Sequence, residues 1–461
     1  MKTKTVVFPH ASALFATTRD RHPQRRDPSG TNGNGAAGLA TWRASILCVA
    51  VAVCVWAPSA FGQQKHYIKG TVKAIPVHDL TAAEGGIQPA VVPEGRFKAD
   101  TVTPVKPPLP SWNYSVVAYD TKTYTGTILG RSPYYNGKTT TTLQAQIVPL
   151  IITIKDVNGT VVYDPTAADT CAPGHTGVDI IVNSPLFTNN AWTMNSLSMG
   201  NTQYEDANQR AEFWSLLGNT PFHLTLQEST LSAQSLSFGT GGTSGPGSNY
   251  PTSVTSACEE LGVVETNDMN NAIQTLITGS LAASVNVGTI PLFLTKNVVM
   301  SDGDTNLFGP NCCTLGFHSA FTVGTNLQVY GPFVVDTAQA FGPGFTGTMA
   351  HEVGEAINDP YPSGSTNQTP PWGNQGQVPA GQCQNNFEVG DPLSGGGVPP
   401  TSNNWVIAGA NGLTYDLQEL AFFSWFYGDP DLGTAGFYSN HGTFTGHSKA
   451  CPPGGTFSAS N

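Results

Sequence analysis

The sequence predicts an α+β fold: a β-rich N-terminal part, then a C-terminal part in which a motif-bearing helix follows strands. Three observations predict it. Glycine (51) and proline (34) are abundant and charged residues make up only 11% of the 461 positions, which favours strands and turns over long solvated helices. From 111 to 250, β-branched and partly alternating segments are separated by turn residues. Helical character is confined to three stretches: Gln203–Gly218, Glu265–Ala283 and Phe345–Asn358.

The chain opens with a segment of different character. Residues 1–43 hold seven Lys or Arg against two Asp, and the uncharged run "ASILCVAVAVCVWAPSAFG" (Ala44–Gly62) follows. A basic start, an apolar centre and small residues at Ala60 and Gly62 describe residues 1–62 as a secretory signal peptide. A membrane anchor is the alternative, because the run is nearly long enough to span. Pro58 and the small residues behind it suit cleavage better. Residues 63–110, rich in Pro, Val and Ala, read as an extended leader.

Within 111–250, "NYSVVAYD", "YTGTILG", "TTTTLQAQIVPLIITIKD" and "TVVYD" read as strands, and Gly218 closes the helix begun at Gln203. Residues 228–256 are rich in Ser, Gly and Thr and mark either an internal boundary or a long surface loop. In 251–461, Met269, Ile273, Leu276 and Ile277 give the second helix an apolar face. "TIPLFLTKNVVM" and "LQVYGPFVVDTA" read as buried strands. The helix of 345–358 comes next, then a long irregular tail.

Cleavage at Gly62 removes seven basic and two acidic residues, leaving 13 against 29 and a net charge near −16. Such a chain cannot neutralise a phosphate backbone, which excludes nucleic acid as a partner. Six cysteines remain, an even number that in an exported chain implies disulfides; spacing does not rank their pairings. No CxxC pair is present, which argues against a thiolate zinc site.

The chemistry concentrates in "TGTMAHEVGEAINDPYP" (Thr346–Pro362), where His-Glu-Val-Gly-Glu stands in the place of the His-Glu-x-x-His of zinc proteases. On a helix His351, Glu355 and Asp359 share one face, with Val353 and Ile357 turned to the core. Pro360 puts Asp359 at the helix end. Carboxylates near a helix C-terminus call for cations, yet Asn297–Ser448 contains twelve acidic residues and no Lys or Arg. A buried acidic cluster there needs protons or a bound metal. Glu352 stands where a general base would activate water. "FEVGDPL" offers Glu388 as a third ligand with Asp391 as its support, and "CCTLGFHSAF" offers His318 just before a strand. Zinc is the first expectation; an extra carboxylate hardens the site, and manganese, iron or calcium gain ground.

Other features carry less. "SDGDTN" (Ser301–Asn306) has the Asp-x-Asp-x-Asn spacing of a calcium loop but fails as an EF-hand, with Leu307 where glycine is needed. His441 and His447 read as surface residues, and "FFSWFYGDP" (Phe422–Pro430) as core. No GxSxG is present.

"GFHSAF", "TMAHEVGEAINDP", "FEVGD" and "LTYDLQELAFFSWF", in that order, resemble the phosphate-induced (exordium-like) secreted proteins and their bacterial relatives. The resemblance covers roughly Cys312–Tyr427. It implies a zincin-like C-terminal domain and an extracellular setting; the bacterial relatives look like metallopeptidases by motif alone. Two departures are visible: "FEVGDPL" lacks the cysteine that follows the family's acidic segment, and a Pro/Gly/Gln-rich insertion (Pro362–Gly381) precedes it.

The expected function is therefore a secreted, monomeric metallohydrolase, in first place a peptidase. His351, Glu355 and Glu388 hold the metal, Glu352 is the base, and Asp391 or His318 stands behind. A peptide or a wall or matrix polymer would be its substrate, and no membrane is involved once the signal is cut. The alternative is a non-enzymatic wall- or matrix-associated protein with a structural calcium in the same cluster. Expressed in full, the protein should be recovered outside the cytoplasm with Gln63 near its N-terminus. Intact-mass analysis finding residues 1–62 retained in the soluble cytoplasm would remove the export reading.

Overall fold

One strand, Thr140–Asp156, is seventeen residues long, and the sheet built around it positions the rest. The computed structural model describes residues 72–74, 108–156, 159–239, 252–255, 258–301, 312–341, 345–362, 367–373, 382–393, 404–448 and 456–457. The signal segment 1–62, most of the leader 63–110 and the Asp-x-Asp-x-Asn turn lie outside them.

In chain order, β1 (Val72–Ala74), β2 (Ser111–Val117) and β3 (Thr123–Leu129) form an antiparallel sheet. Then come β4 (Thr140–Asp156), β5 (Gly159–Tyr163), α1 (Gly177–Val182) and the ribbon β6 (Asn190–Met194)–β7 (Leu197–Thr202). Next are α2 (Tyr204–Glu212), α3 (Trp214–Leu217), β8 (His223–Thr230), β9 (Gln234–Gly239), β10 (Thr252–Thr255), β11 (Glu260–Glu265) and α4 (Thr266–Thr278). After them run β12 (Thr289–Lys296), β13 (Val298–Ser301), β14 (Cys312–Thr314), β15 (Ser319–Val323), β16 (Asn326–Val335) and α5 (Gly347–Asn358). The last elements are β17 (Gln368–Gly373), β18 (Gln382–Asn386), β19 (Trp405–Ala408), β20 (Thr414–Leu417), α6 (Phe423–Tyr427) and β21 (Thr456–Phe457). The result is mixed and strand-rich with few helices, as the composition predicts. No helix among the described residues is long and apolar enough to cross a membrane.

The central sheet runs β15-β16-β12-β4-β5, with β8 and β9 also on β4. β4 is long enough to take two successive parallel partners, β8 along Thr140–Ile147 and β9 along Leu150–Lys155. Its other edge takes β12 in parallel and then β5 antiparallel. Strands from both sides of residue 250 thus share one sheet, and β9 is drawn from the Ser/Gly/Thr-rich stretch. Side chains of β4 alternate between two cores. Leu143, Ala145 and Ile147 join the core that contains the inner face of α5. Val148, Leu150, Ile152 and Ile154 pack with Met269, Ile273 and Ile277 of α4. That helix begins where Glu265 accepts a hydrogen bond from the Asp268 N–H, an N-terminal cap.

Two local expectations change in detail. The helix begun near Gln203 breaks at Phe213 into α2 and α3, with Gly218 still closing it. β16 does not run straight into α5: a loop intervenes, held by the Asp336 carboxylate, which accepts the Ala340 and Phe341 N–H groups. α5 packs on β3, β16 and β20.

Cys171 and Cys258 form a disulfide that closes a loop of 87 residues, and Cys313 and Cys383 each belong to a further disulfide. Next to the first bridge, Thr170 hydrogen-bonds Glu259, and Lys296 pairs with both Asp169 and Glu259. Replacing Cys171 and Cys258 by serine should cost about 2–5 kcal/mol, because a long loop regains its unfolded freedom. Urea unfolding of the double variant measures this; an unchanged midpoint would show the bridge to be inert.

Candidate metal centre

α5 is enclosed on every side. Met349, Ala350, Val353, Ala356 and Ile357 face the hydrophobic core, yet His351, Glu352 and Glu355 on the other face are each only 1% exposed. Three further segments close over that face: the turn before β15 with His318, the loop Phe387–Asp391, and Gln418 just after β20. All six residues singled out from sequence (His318, His351, Glu352, Glu355, Glu388, Asp391) meet here, none more than 4% exposed.

Two glycines allow the approach. A Cβ on Gly390 would fall 2.5 Å from His351 Nδ1, so the loop lies directly against the imidazole. One on Gly316 would meet Thr348 at 2.8 Å and Glu352 Cγ at 3.3 Å. The loop also ties itself to the helix, with the Gly390 and Asp391 N–H groups donating to Glu355 Oε1, each at 3.2 Å.

The two imidazoles are oriented by carbonyl groups. Gln418 donates through Nε2 to the Gly390 carbonyl (2.7 Å), which leaves its Oε1 to accept from His351 Nδ1 (3.0 Å). His318 Nε2 donates to the Asp359 carbonyl (3.0 Å). A carbonyl oxygen only accepts, so the proton of each neutral ring is placed and the opposite nitrogen carries a lone pair. His351 Nε2 makes no hydrogen bond. It faces Glu355 Oε1 at 3.2 Å, Asp391 Oδ1 at 3.5 Å and Glu352 Oε1 at 3.9 Å. His318 Nδ1 faces Glu352 Oε2 at 3.2 Å and Glu355 Oε2 at 3.5 Å, while Glu388 Oε2 lies 3.7 Å from its Nε2.

Lone pairs directed at carboxylates repel unless a cation lies between them. Without a metal that cation is a proton. Burial by itself would lower both imidazoles, but the acids outweigh it. Glu388, then Glu352 and Glu355, hold His318 well above its usual range, as Glu355, then Asp391 and Glu352, hold His351. Burial raises Glu352, with His318 and His351 pulling it back. A divalent metal meets the same need. Bonds of about 2.0–2.2 Å to N and O place neighbouring tetrahedral ligands about 3.3–3.6 Å apart, close to the 3.2 and 3.5 Å around His351 Nε2. The residues present fit a metal. Two overlapping ligand sets form, His351–Glu355–Asp391 and His318–Glu355–Glu388, each with ligand atoms within 4.8 Å of one another.

The grouping differs from the expected one. Asp391 lies beside His351, and Glu388 beside His318. Asp359, placed by its spacing on the ligand face, ends the helix and presents its backbone carbonyl to His318. A third acidic grouping, Asp169–Cys171–Glu259, has its cysteine in the disulfide and its acids on Lys296, so its demand for a cation is met. His441 and His447 are exposed, stacked on Trp405 and Tyr119, and Phe422–Tyr427 is core, as expected.

Sequence reasoning passed over two contributors. Gln418 sits in "LTYDLQEL", yet nothing local marks an amide that will orient a histidine 67 positions earlier. α2, read from the sequence only as a short helix closed by Gly218, is mostly polar yet buried along its whole length and packs on α5. Glu205, whose carboxylate oxygens make no hydrogen bond, lies 3.2 Å from where a Cβ on Gly354 would stand. Gln209 links Glu212 to Asn358.

No family model, no curated protein and no solved structure matches this chain. The class of the protein is therefore argued from the site: a strand-rich chain enclosing a histidine–carboxylate centre fit for a cation.

Burial lifts Glu212 to about 8, with the Phe423 N–H and Gln209 pulling it back. The folded state then keeps a proton that the unfolded chain releases from pH ~4.5 upward, so this group's stabilisation falls as pH rises from ~4.5 to 8. Glu212→Gln should flatten the loss of stability over that window by a few kcal/mol. Urea midpoints at pH 5 and pH 8 decide it: an unchanged slope would mean that Glu212 does not titrate there.

Proposed function

We propose that the protein is an exported metal-dependent hydrolase acting on peptide bonds, or on a wall or matrix polymer, through a zincin-like arrangement on α5. One observation carries this reading: His351, held at Nδ1 by Gln418, points its Nε2 without a hydrogen bond into carboxylates, beside a Glu352 oxygen that also makes none. His351, Glu355 and Asp391 would hold the metal, zinc first. A metal bound there supplies Lewis acidity for a substrate carbonyl and for water. The chain's own part is in the surrounding groups. Gln418 and the Gly390 carbonyl keep the imidazole turned. The loop N–H groups orient Glu355. Glu352 Oε1, which makes no hydrogen bond, would take the proton from water. The resemblance to the phosphate-induced proteins supports the extracellular setting.

A second reading has its own support. The near-complete burial of all six residues favours a structural cation in a non-enzymatic wall or matrix protein. Two imidazoles in the donor set weigh against calcium in that role.

Glu352→Gln separates the two. For the hydrolase it should retain metal and melting temperature and lower turnover ~100- to 10,000-fold, read on peptide and polysaccharide panels with and without chelator. Metal lost from this variant would make Glu352 a ligand and remove it as the base. A wild type that hydrolyses nothing, but melts lower with chelator, would establish the structural reading. Melting indifferent to chelator would dismiss the cation altogether.

A further inference from the structure

We infer that the centre takes two divalent transition-metal ions, the second held by His318 Nδ1, Glu355 Oε2 and Glu388, with Glu355 bridging it to the first. The inference rests on the cation-binding part of the function proposed above and extends it.

The bridge is visible in how Glu355 divides its oxygens. Oε1 faces His351 Nε2 at 3.2 Å and Oε2 faces His318 Nδ1 at 3.5 Å. These are the two nitrogens left as lone pairs once Gln418 and the Asp359 carbonyl have placed the ring protons. Each nitrogen thus faces its own oxygen of one shared carboxylate; Asp391 Oδ1 joins His351 Nε2 at 3.5 Å, and Glu388 completes the His318–Glu355 group, its Oε2 3.7 Å from His318 Nε2. One ion cannot use both imidazoles in this arrangement. Glu352 repeats the pattern, with Oε2 at 3.2 Å from His318 Nδ1 and Oε1 at 3.9 Å from His351 Nε2. That Oε1 belongs to a side chain only 1% exposed and makes no hydrogen bond, a buried acceptor facing His351 Nε2.

Charge points the same way. Glu352, Glu355, Glu388 and Asp391 bring four negative charges, and Asn297–Ser448 supplies no Lys or Arg. One divalent ion with neutral imidazoles leaves two charges uncompensated in a buried site, which is costly. Two divalent ions balance the four carboxylates. Imidazole with carboxylate oxygen suits zinc, manganese or iron over calcium. Two ions at a carboxylate bridge can also act together on attacking and leaving oxygens.

Metal-free protein, prepared by dialysis against chelator and still folded by circular dichroism, is titrated with Zn2+ and its content read by mass spectrometry. Two ions per chain are expected for wild type and one for His318→Gln. Glu355→Ala should bind both at least ~100-fold more weakly, since it removes a ligand of each. Loading with Mn2+ adds a geometric readout. Wild type should show an exchange-coupled paramagnetic resonance spectrum, and His318→Gln the six-line spectrum of an isolated ion. One ion per chain in wild type, unchanged in His318→Gln, would overturn the second site and leave the hydrolase reading standing. No bound ion in either would overturn both. Two uncoupled Mn2+ ions would overturn the bridge. If His318→Gln does not fold, the wild-type count and spectrum decide alone; if the metal-free chain does not fold, the metal content of the protein as purified replaces the titration.

Discussion

A carboxylate can be taken out of water only if a positive charge or a proton goes with it. α5 brings Glu352 and Glu355 into the interior, and the chain around it has no Lys or Arg to offer from Asn297 to Ser448. Other arrangements near the helix follow from that constraint. Histidine is the one basic side chain available, and two are brought in, from α5 itself and from the turn before β15. Each is then turned by a carbonyl so that its lone pair, or its second proton, meets the acids. Gly390 and Gly316 lack side chains because the segments bearing Asp391 and His318 must lie against the helix surface.

Parts of this were legible in the sequence because they depend on spacing or residue type. Helical periodicity alone places His351 and Glu355 one turn apart with Val353 and Ile357 in the core. The absence of basic residues means that any of the nearby acids the fold buries must find a proton or a bound cation. Composition names His318, Glu388 and Asp391 as candidates, but the division of acids between imidazoles depends on a loop path. Glu388 and Asp391 are three residues apart, and the backbone between them lies across Glu355, so they reach different histidines. No one-dimensional pattern encodes that crossing.

The sheet divides in the same way. Its strands are visible as β-branched runs bounded by turn residues, and α4 as an apolar stripe. What cannot be read locally is that β4 serves two parallel partners in succession, since a seventeen-residue strand and two shorter runs have the same local pattern whichever way they pair. α2 is the sharper case. A polar helix ordinarily faces solvent because burying polar groups is expensive, and that tendency yields where most of its groups find partners on other buried elements. Asp206 accepts from Thr202, His223 and the Leu224 N–H, and Arg210 donates to three backbone carbonyls. Glu205, with no such partners, is held well above the usual carboxylate range by burial and the nearby Glu212.

Four separated segments supply and orient the ligands: the turn at His318, α5, the loop Phe387–Asp391 and Gln418. None is a site alone, so the ligands converge only when β15, α5 and β20 have docked. Any cation affinity would then be part of folding free energy, since a scattered ligand set in the unfolded chain binds weakly. This coupling sets what the centre can do. A structural cation needs only the completed shell, and burial to a few per cent serves that well. A catalytic one also needs Glu352 Oε1 to meet water and substrate, which requires an opening through the same segments that would hold the cation. The loop Phe387–Asp391 is a poor place for that opening, since it carries Glu388 and Asp391, holds Glu355 through two N–H groups and holds Gln418 through the Gly390 carbonyl. Catalysis and cation retention would be compatible here only if water and substrate reached Glu352 Oε1 by a path that leaves this loop in place.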